Sequence, residues 1–281
     1  MSQFDLSRFA INQITTPKWT LAEAIEGYAS QGVHGIAVWR QYLDDYGVKA
    51  AVKHLHAADM WVASLCTSAW VNQTDAAGYR QALDENRRII DQAAAIGAPC
   101  VVMVMGGVGD DKDLYAQHRR IHDALEELAP YATAAGVKLG LEPLHPMYCG
   151  DRSALNLITH ANDLIDELGD KASGLVADVY HCWWDPNFEQ QLKRAGKDRI
   201  VTFHYCDWLV PTRNLRDRGM VGDGVVNFTQ IRGWLDEMGY DGPFELEIFS
   251  ELDWWERDHH ETVRIAIERC GPYVGPRITR P

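Results

Sequence analysis

The sequence predicts a single (β/α)8 barrel spanning residues 1–281, and three observations carry that expectation. The chain has 281 residues, close to the roughly 250 that such a barrel uses. Short β-rich apolar segments alternate with longer amphipathic ones from end to end. No compositional break or linker interrupts the alternation.

The strand candidates are eight: 9–14, 35–40, 61–67, 100–106, 137–144, 174–180, 200–206 and 243–249. Between them lie helical stripes. Leu21, Ala24, Ile25 and Tyr28 share one face, as do Leu125, Leu128 and Ala129, and a third runs from Leu157 through Ile158, Ala161, Leu164 and Ile165 to Leu168. Glycines such as Gly136 and Gly239 fall just past such stretches, where a helix C-cap favours a left-handed residue. An open doubly wound sheet is the rival architecture, but no G-x-G-x-x-G follows the first strand.

Composition narrows the function classes. Hydrophobic residues make up 46% and charged residues 24%, and the formal net charge is −13. Phosphate backbones and anionic membranes attract basic faces, and no basic run longer than a pair is present, so neither nucleic acid nor a membrane is an expected partner. A homo-oligomer stays open. The six cysteines, Cys66, Cys100, Cys149, Cys182, Cys206 and Cys270, form no C-x-x-C pair. With no basic region followed by an apolar stretch at the amino terminus, and no apolar run of the ~18–20 residues a membrane span needs, a reducing cytoplasm is the expected compartment.

In a barrel of this kind the chemistry sits at the carboxyl ends of the strands. The last four predicted strands place Glu142, Asp178, His204 and Glu247 there, one per strand. Any one alone would read equally well as a salt bridge or cap. Four together, on inward-facing positions, would be costly without a cation. Three carboxylates and one imidazole suit a single divalent ion of the Mn2+, Mg2+, Co2+ or Zn2+ type.

Five segments carry a family resemblance: LGLEPLHP at 139–146, ADVYHCWWD at 177–185, FHYCDW at 203–208, RGMVGDG at 218–224 and GYDGPFELEIFS at 239–250. In these the chain resembles the xylose-isomerase-like TIM barrels, which include sugar epimerases, inosose isomerases and dehydratases, and endonuclease IV. The resemblance implies one divalent metal, Mn2+ first, on Glu142, Asp178, His204 and Glu247. It also implies that Glu142 and Glu247 act as opposed general base and acid, and that His181 and Arg218 contact substrate. The ends of strands two and three offer no histidine for the additional metals of endonuclease IV, which favours one ion.

Further candidates follow from position. His145, three residues after Glu142 between Pro143 and Pro146, is a candidate third acid/base group. Trp183 and Trp208, with Trp184, are candidate sugar-stacking faces, with plain packing as the competing reading. Arg40 and Asn12 follow strands two and one and are candidate substrate contacts. Arg213 and Arg216 share with Arg218 a loop longer than the epimerase pattern has. Trp254 and Trp255 read as packing or interface residues, and Glu245, one layer below Glu247, as a structural ion pair. The function expected is a metal-dependent isomerase or epimerase of a keto-sugar, cyclitol or related polyol, through an enediolate. Elimination of water or an alcohol from a 3-keto sugar or 2-keto-inositol uses the same groups, with His145 or His181 as acid. A non-catalytic sugar-binding or scaffold subunit is the alternative from another class.

Overall fold

The computed structural model describes residues 4–169 and 171–275. Eight parallel strands close into a barrel in chain order: β1 (Phe9–Asn12), β2 (Gly35–Trp39), β3 (Trp61–Cys66), β4 (Cys100–Met103), β5 (Lys138–Leu141), β6 (Ser173–Asp178), β7 (Ile200–Tyr205) and β10 (Phe244–Leu246), which pairs back onto β1. Two short strands, β8 (Asp207–Trp208) and β9 (Arg218–Gly219), make an antiparallel hairpin beyond β7. The expected barrel is therefore present. The ends of the predicted 1–281 span, residues 1–3 and 276–281, lie outside the described residues.

The strands are shorter than the apolar runs suggested, because their last residues turn away into functional loops. The run 9–14 stops at Asn12, whose side-chain oxygen accepts the Ile14 N–H and starts a 3-10 turn at Gln13–Thr15. The run 174–180 stops at Asp178, which caps the short helix α7 (Val179–Cys182) by accepting the Tyr180 N–H at 2.7 Å. Hydrophobicity continues through both junctions because the loops are themselves buried. Glu142 and Glu247 consequently lie one residue past β5 and β10.

Helices α1 (Leu21–Ser30), α2 (Arg40–Tyr46), α3 (Val48–Ala57), α4 (Ala76–Ala95), α5 (Leu114–Ala135), α6 (Ile158–Leu168), α8 (Phe188–Arg199), α9 (Phe228–Met238) and α10 (His259–Val274) surround the barrel. Their apolar stripes and the outward strand residues form one large core. Caps set the phase of these stripes. Thr20 and Glu23 form a reciprocal capping box at α1, and Asp113 and Asp258 cap α5 and α10. Inside the barrel small residues dominate, with Ala10, Ala37 and Ala63 in one cluster and Cys66, Val102 and Val176 in another.

Within the barrel strands, close approach is tightest at Gly35 on β2. A Cβ there would lie 2.4 Å from the Phe9 carbonyl oxygen and 2.4 Å from the Trp61 ring. Gly35→Ala is therefore expected to lose about 1–3 kcal/mol, the usual cost of overpacking a filled core. Denaturant unfolding with an unchanged midpoint would contradict this account of the β1–β2–β3 corner.

Candidate metal and active site

Strand register brings the charged groups together. Asp178 and His204 are direct neighbours across β6 and β7, and His204 and Glu245 across β7 and β10. Glu142 and Glu247 enter from the adjoining strand ends. One donor atom from each of Glu142, Asp178, His204 and Glu247 lies within 4.8 Å of every other, and all four residues are buried.

Their partners differ in an informative way. His204 Nδ1 lies 3.2 Å from Glu142 Oε1, yet off the hydrogen-bonding direction, so neither atom has a hydrogen-bond partner. Buried polar atoms are rarely left so. A divalent cation would satisfy both at once, and a carboxylate-rich set with one imidazole fits such an ion. Glu247 is better served: Oε1 accepts from Asn12 Nδ2 at 3.1 Å and Oε2 from Arg218 Nη1 at 2.8 Å. The same Arg218 nitrogen reaches Asp178 Oδ2 at 3.1 Å. Burial pushes the Glu142 carboxyl up to about 7. Burial pushes on Glu247 too, but Arg218 and His204 together outweigh it and hold that carboxyl below the usual range. Burial and the Arg218 charge together keep the His181 imidazole well below its ordinary value.

Behind His204 stands Glu245. Its Oε2 lies 3.2 Å from His204 Nε2, and the carboxylate accepts from Ser64 Oγ at 3.1 Å and Thr202 Oγ1 at 2.6 Å. The expected structural ion pair is thus with the imidazole. A carboxylate there favours the proton on Nε2 and leaves Nδ1 free to face the four-donor cluster, the usual arrangement behind a metal-ligating histidine.

The cluster forms one end of a pocket of about 310 Å³. Glu142, His181, Arg218 and Glu247 line that end, and Trp39, Trp70, Leu144, Tyr148 and Phe249 form much of the rest. Arg218 is clamped between the Tyr180 and Phe249 rings, 4.4 and 4.7 Å from their centroids. His181 Nδ1 lies 3.0 Å from the His145 backbone N–H and Nε2 lies 3.1 Å from Arg218 Nη2, so both ring nitrogens face donors, which disfavours the charged ring.

Not every expected residue reaches the pocket. His145 does not line it. Its ring packs against Trp184 and Trp208, and its Nδ1 accepts the Met147 N–H at 3.2 Å as the cap of a 3-10 turn. The prolines that stiffen this loop turn the side chain outward. Trp183 and Trp208 pack on each other at 5.8 Å and, through Trp208, on Tyr180 at 4.7 Å, so they support the wall from behind. Arg40 pairs with Glu85 at 2.7 Å beside a neighbouring hollow. Asn12 sits behind Glu247, its amide oxygen taken by Trp39 Nε1 at 2.5 Å. Arg213 turns back onto Asp217, while Arg216 does line the pocket mouth. Trp254 is buried and donates to Asp223, and Trp255 donates to the Ile248 carbonyl, as packing residues do.

Sequence reasoning missed Trp39, Trp70, Tyr148 and Phe249 as lining residues, and missed Asp207. The buried Asp207 carboxylate accepts four backbone N–H groups, from Trp208, Gly222, Gly224 and Val226, all at 2.9–3.0 Å. It thereby fixes the return of the loop that carries Arg218. The FHYCDW segment marked its place but not its partners, which come from a remote stretch.

A family model described as Xylose isomerase-like TIM barrel matches residues 25–269. An inosose isomerase of Halalkalibacterium halodurans is 26% identical over 85% of this chain and 84% of its own. A solved protein of Sinorhizobium meliloti 1021 superposes with a TM-score of 0.93 at 38% identity, over 96% of this chain and all of that one. The solved IolI protein with a bound zinc atom superposes at 0.82, with 20% identity, over 95% and 99% of the two chains, a likeness of fold.

Removing the support behind His204 tests the site without touching its four donors. Glu245→Gln is expected to weaken divalent-metal affinity about 10–100-fold, as losses behind a metal-ligating histidine typically do. Competition with a fluorescent chelator measures it, and unchanged affinity would mean that Glu245 only packs the barrel.

Proposed function

We infer the activity from two premises: the chain belongs to the xylose isomerase-like TIM barrel family, and its pocket ends in a buried cluster of three carboxylates and one imidazole. The chain is an enzyme that isomerises or epimerises a keto-sugar, cyclitol or related polyol, with one divalent metal held by Glu142, Asp178, His204 and Glu247. Mn2+ is the first choice for that donor set, and the zinc of the IolI structure supports a divalent ion of this kind. The single observation that carries the reading is the unpartnered pair, Glu142 Oε1 and His204 Nδ1, at the closed end of the pocket. The inosose isomerase relative supports the substrate class.

A hydrogen on carbon beside a carbonyl is weakly acidic, and the bound metal supplies Lewis-acid stabilisation of the charge that develops on oxygen. The chain's own residues do the rest. Glu247, held ionised by Arg218 and aimed by Asn12, takes the proton from carbon. Glu142 returns a proton to the neighbouring carbon or the opposite face. Arg218 and His181 orient substrate oxygens at the same end of the pocket. Elimination would need an acid at the departing oxygen, and with His145 packed against two tryptophans that task falls on His181 alone among the candidates.

Incubating the metal-loaded protein with inososes and keto-sugars in heavy water tests the reading. Deuterium gained at one carbon with no loss of mass balance is the expected result, whereas loss of water or an alcohol would assign elimination. Glu142→Gln and Glu247→Gln keep the side-chain shape but cannot carry the proton, so each should lower kcat by about 10²–10⁴-fold. Near-normal turnover in either variant removes that residue from proton transfer.

A further inference from the structure

We propose that the mouth of the pocket holds an anion subsite built on Arg152, and that the substrate carries a phosphate or carboxylate at the end remote from the reacting carbons. The proposal rests on the functional reading above and narrows its substrate class.

The observation behind it is an unpaired cation. Arg152 is half-buried and lines the pocket, and among the described residues its guanidinium meets no carboxylate and no hydrogen-bond acceptor. Every other half-buried arginine there is paired. Arg40, Arg87, Arg120, Arg232 and Arg269 each meet a carboxylate, and Arg8 donates to two carbonyls. In a chain with 40 acidic and 27 basic residues, a partly desolvated arginine left without a partner is conspicuous, because such a charge is costly until something pairs with it.

Its surroundings point the same way. Tyr148 donates to the Leu215 carbonyl at 2.6 Å, closing the β5 loop against the loop after β7. Arg152 follows on one side of that seam and Arg216 on the other, and both line the same mouth. Arg216 has only loose partners, Glu251 at 3.7 Å and the Trp255 ring at 6.0 Å. Asp151 also lines the mouth, but it is exposed and makes no ion pair with either arginine among the described residues.

The intervening wall gives a substrate little else to hold. Trp39 spends its N–H on Asn12 and Tyr148 its hydroxyl on Leu215, so both offer only ring faces beside Val104, Leu144 and Phe249. Apart from the Thr67 hydroxyl and the Trp70 indole, polar recognition is therefore concentrated at the two ends, one metal-directed, the other carrying Arg152 and Arg216. Two guanidinium forks at the second end suit an oxyanion, whose paired oxygens they can bind side by side.

Non-reacting polyols test this independently of turnover. Calorimetric titration of the Mn2+-loaded protein would compare ribitol, ribitol 5-phosphate and ribonate. Whichever anion the subsite accepts should bind about ten- to a hundredfold more tightly than ribitol, the range for one or two charge-assisted hydrogen bonds. In Arg152→Ala that advantage should fall to within about twofold with ribitol binding unchanged, and Arg152→Lys should restore part of it. A gain for ribitol 5-phosphate alone assigns a phosphate, and a gain for ribonate alone a carboxylate. Equal binding of all three, no binding of any, or an advantage that survives Arg152→Ala (an anion on the metal) overturns the subsite. Failure of the isomerase reading would appear instead as absent deuterium exchange, with the anion preference still measurable.

Discussion

Like-charge crowding at the mouth of the barrel is the constraint that the rest of the site answers to. Glu142, Asp178, Glu245 and Glu247 are all buried within a few residues of the strand ends. Carboxylates so placed repel one another and have lost water, so each needs a cation or a proton. The structure supplies one fixed cation, Arg218, and one neutral imidazole, His204, and distributes them unequally. His204 stands between Glu142 and Glu245, and Arg218 bridges Asp178 and Glu247. One positive charge is still wanting where Glu142 and His204 face each other without hydrogen bonds. The proposed metal thus answers the electrostatics of the site as well as a likeness to a family.

The same crowding explains the difference between the two glutamates. Glu247 is held on both oxygens and stays ionised, while Glu142 is buried with one oxygen unmatched and keeps its proton more readily. Groups of one chemical type driven apart by their surroundings are how a site obtains an acid and a base together. Here the asymmetry comes from β1 and the hairpin, which contribute Asn12 and Arg218, and not from the strands that carry the glutamates.

The barrel and its four donors were legible in the sequence because both follow from local periodicity. Alternation along a strand says which residues face inward, and strand order in a closed barrel makes the last four ends neighbours. What periodicity cannot convey is where a loop side chain turns. His145 and Trp208 lie in the right loops, yet they stack on each other at 5.2 Å outside the pocket. Trp39, at the end of β2, and Phe249, just past β10, carry no distinct signal, because an aromatic residue there reads equally as core. Arg152 carries no local signal, since its importance lies in what fails to meet it.

Asp207 has a consequence for how this protein can change. Its four backbone contacts anchor the segment 222–226 to the end of β7, and the β8–β9 pairing then sets Arg218 opposite Trp208. Arg218 is accordingly placed from both sides by main-chain geometry. Apart from the buried Asp217 and its partner Arg213, residues 209–217 are mostly exposed and can change without disturbing the charge balance below them. They form part of the rim, through Leu215 and Arg216, so substrate preference can drift there while the chemistry stays fixed. The fold separates an exposed lip from a buried floor, and the carboxylate of one aspartate is the boundary between them.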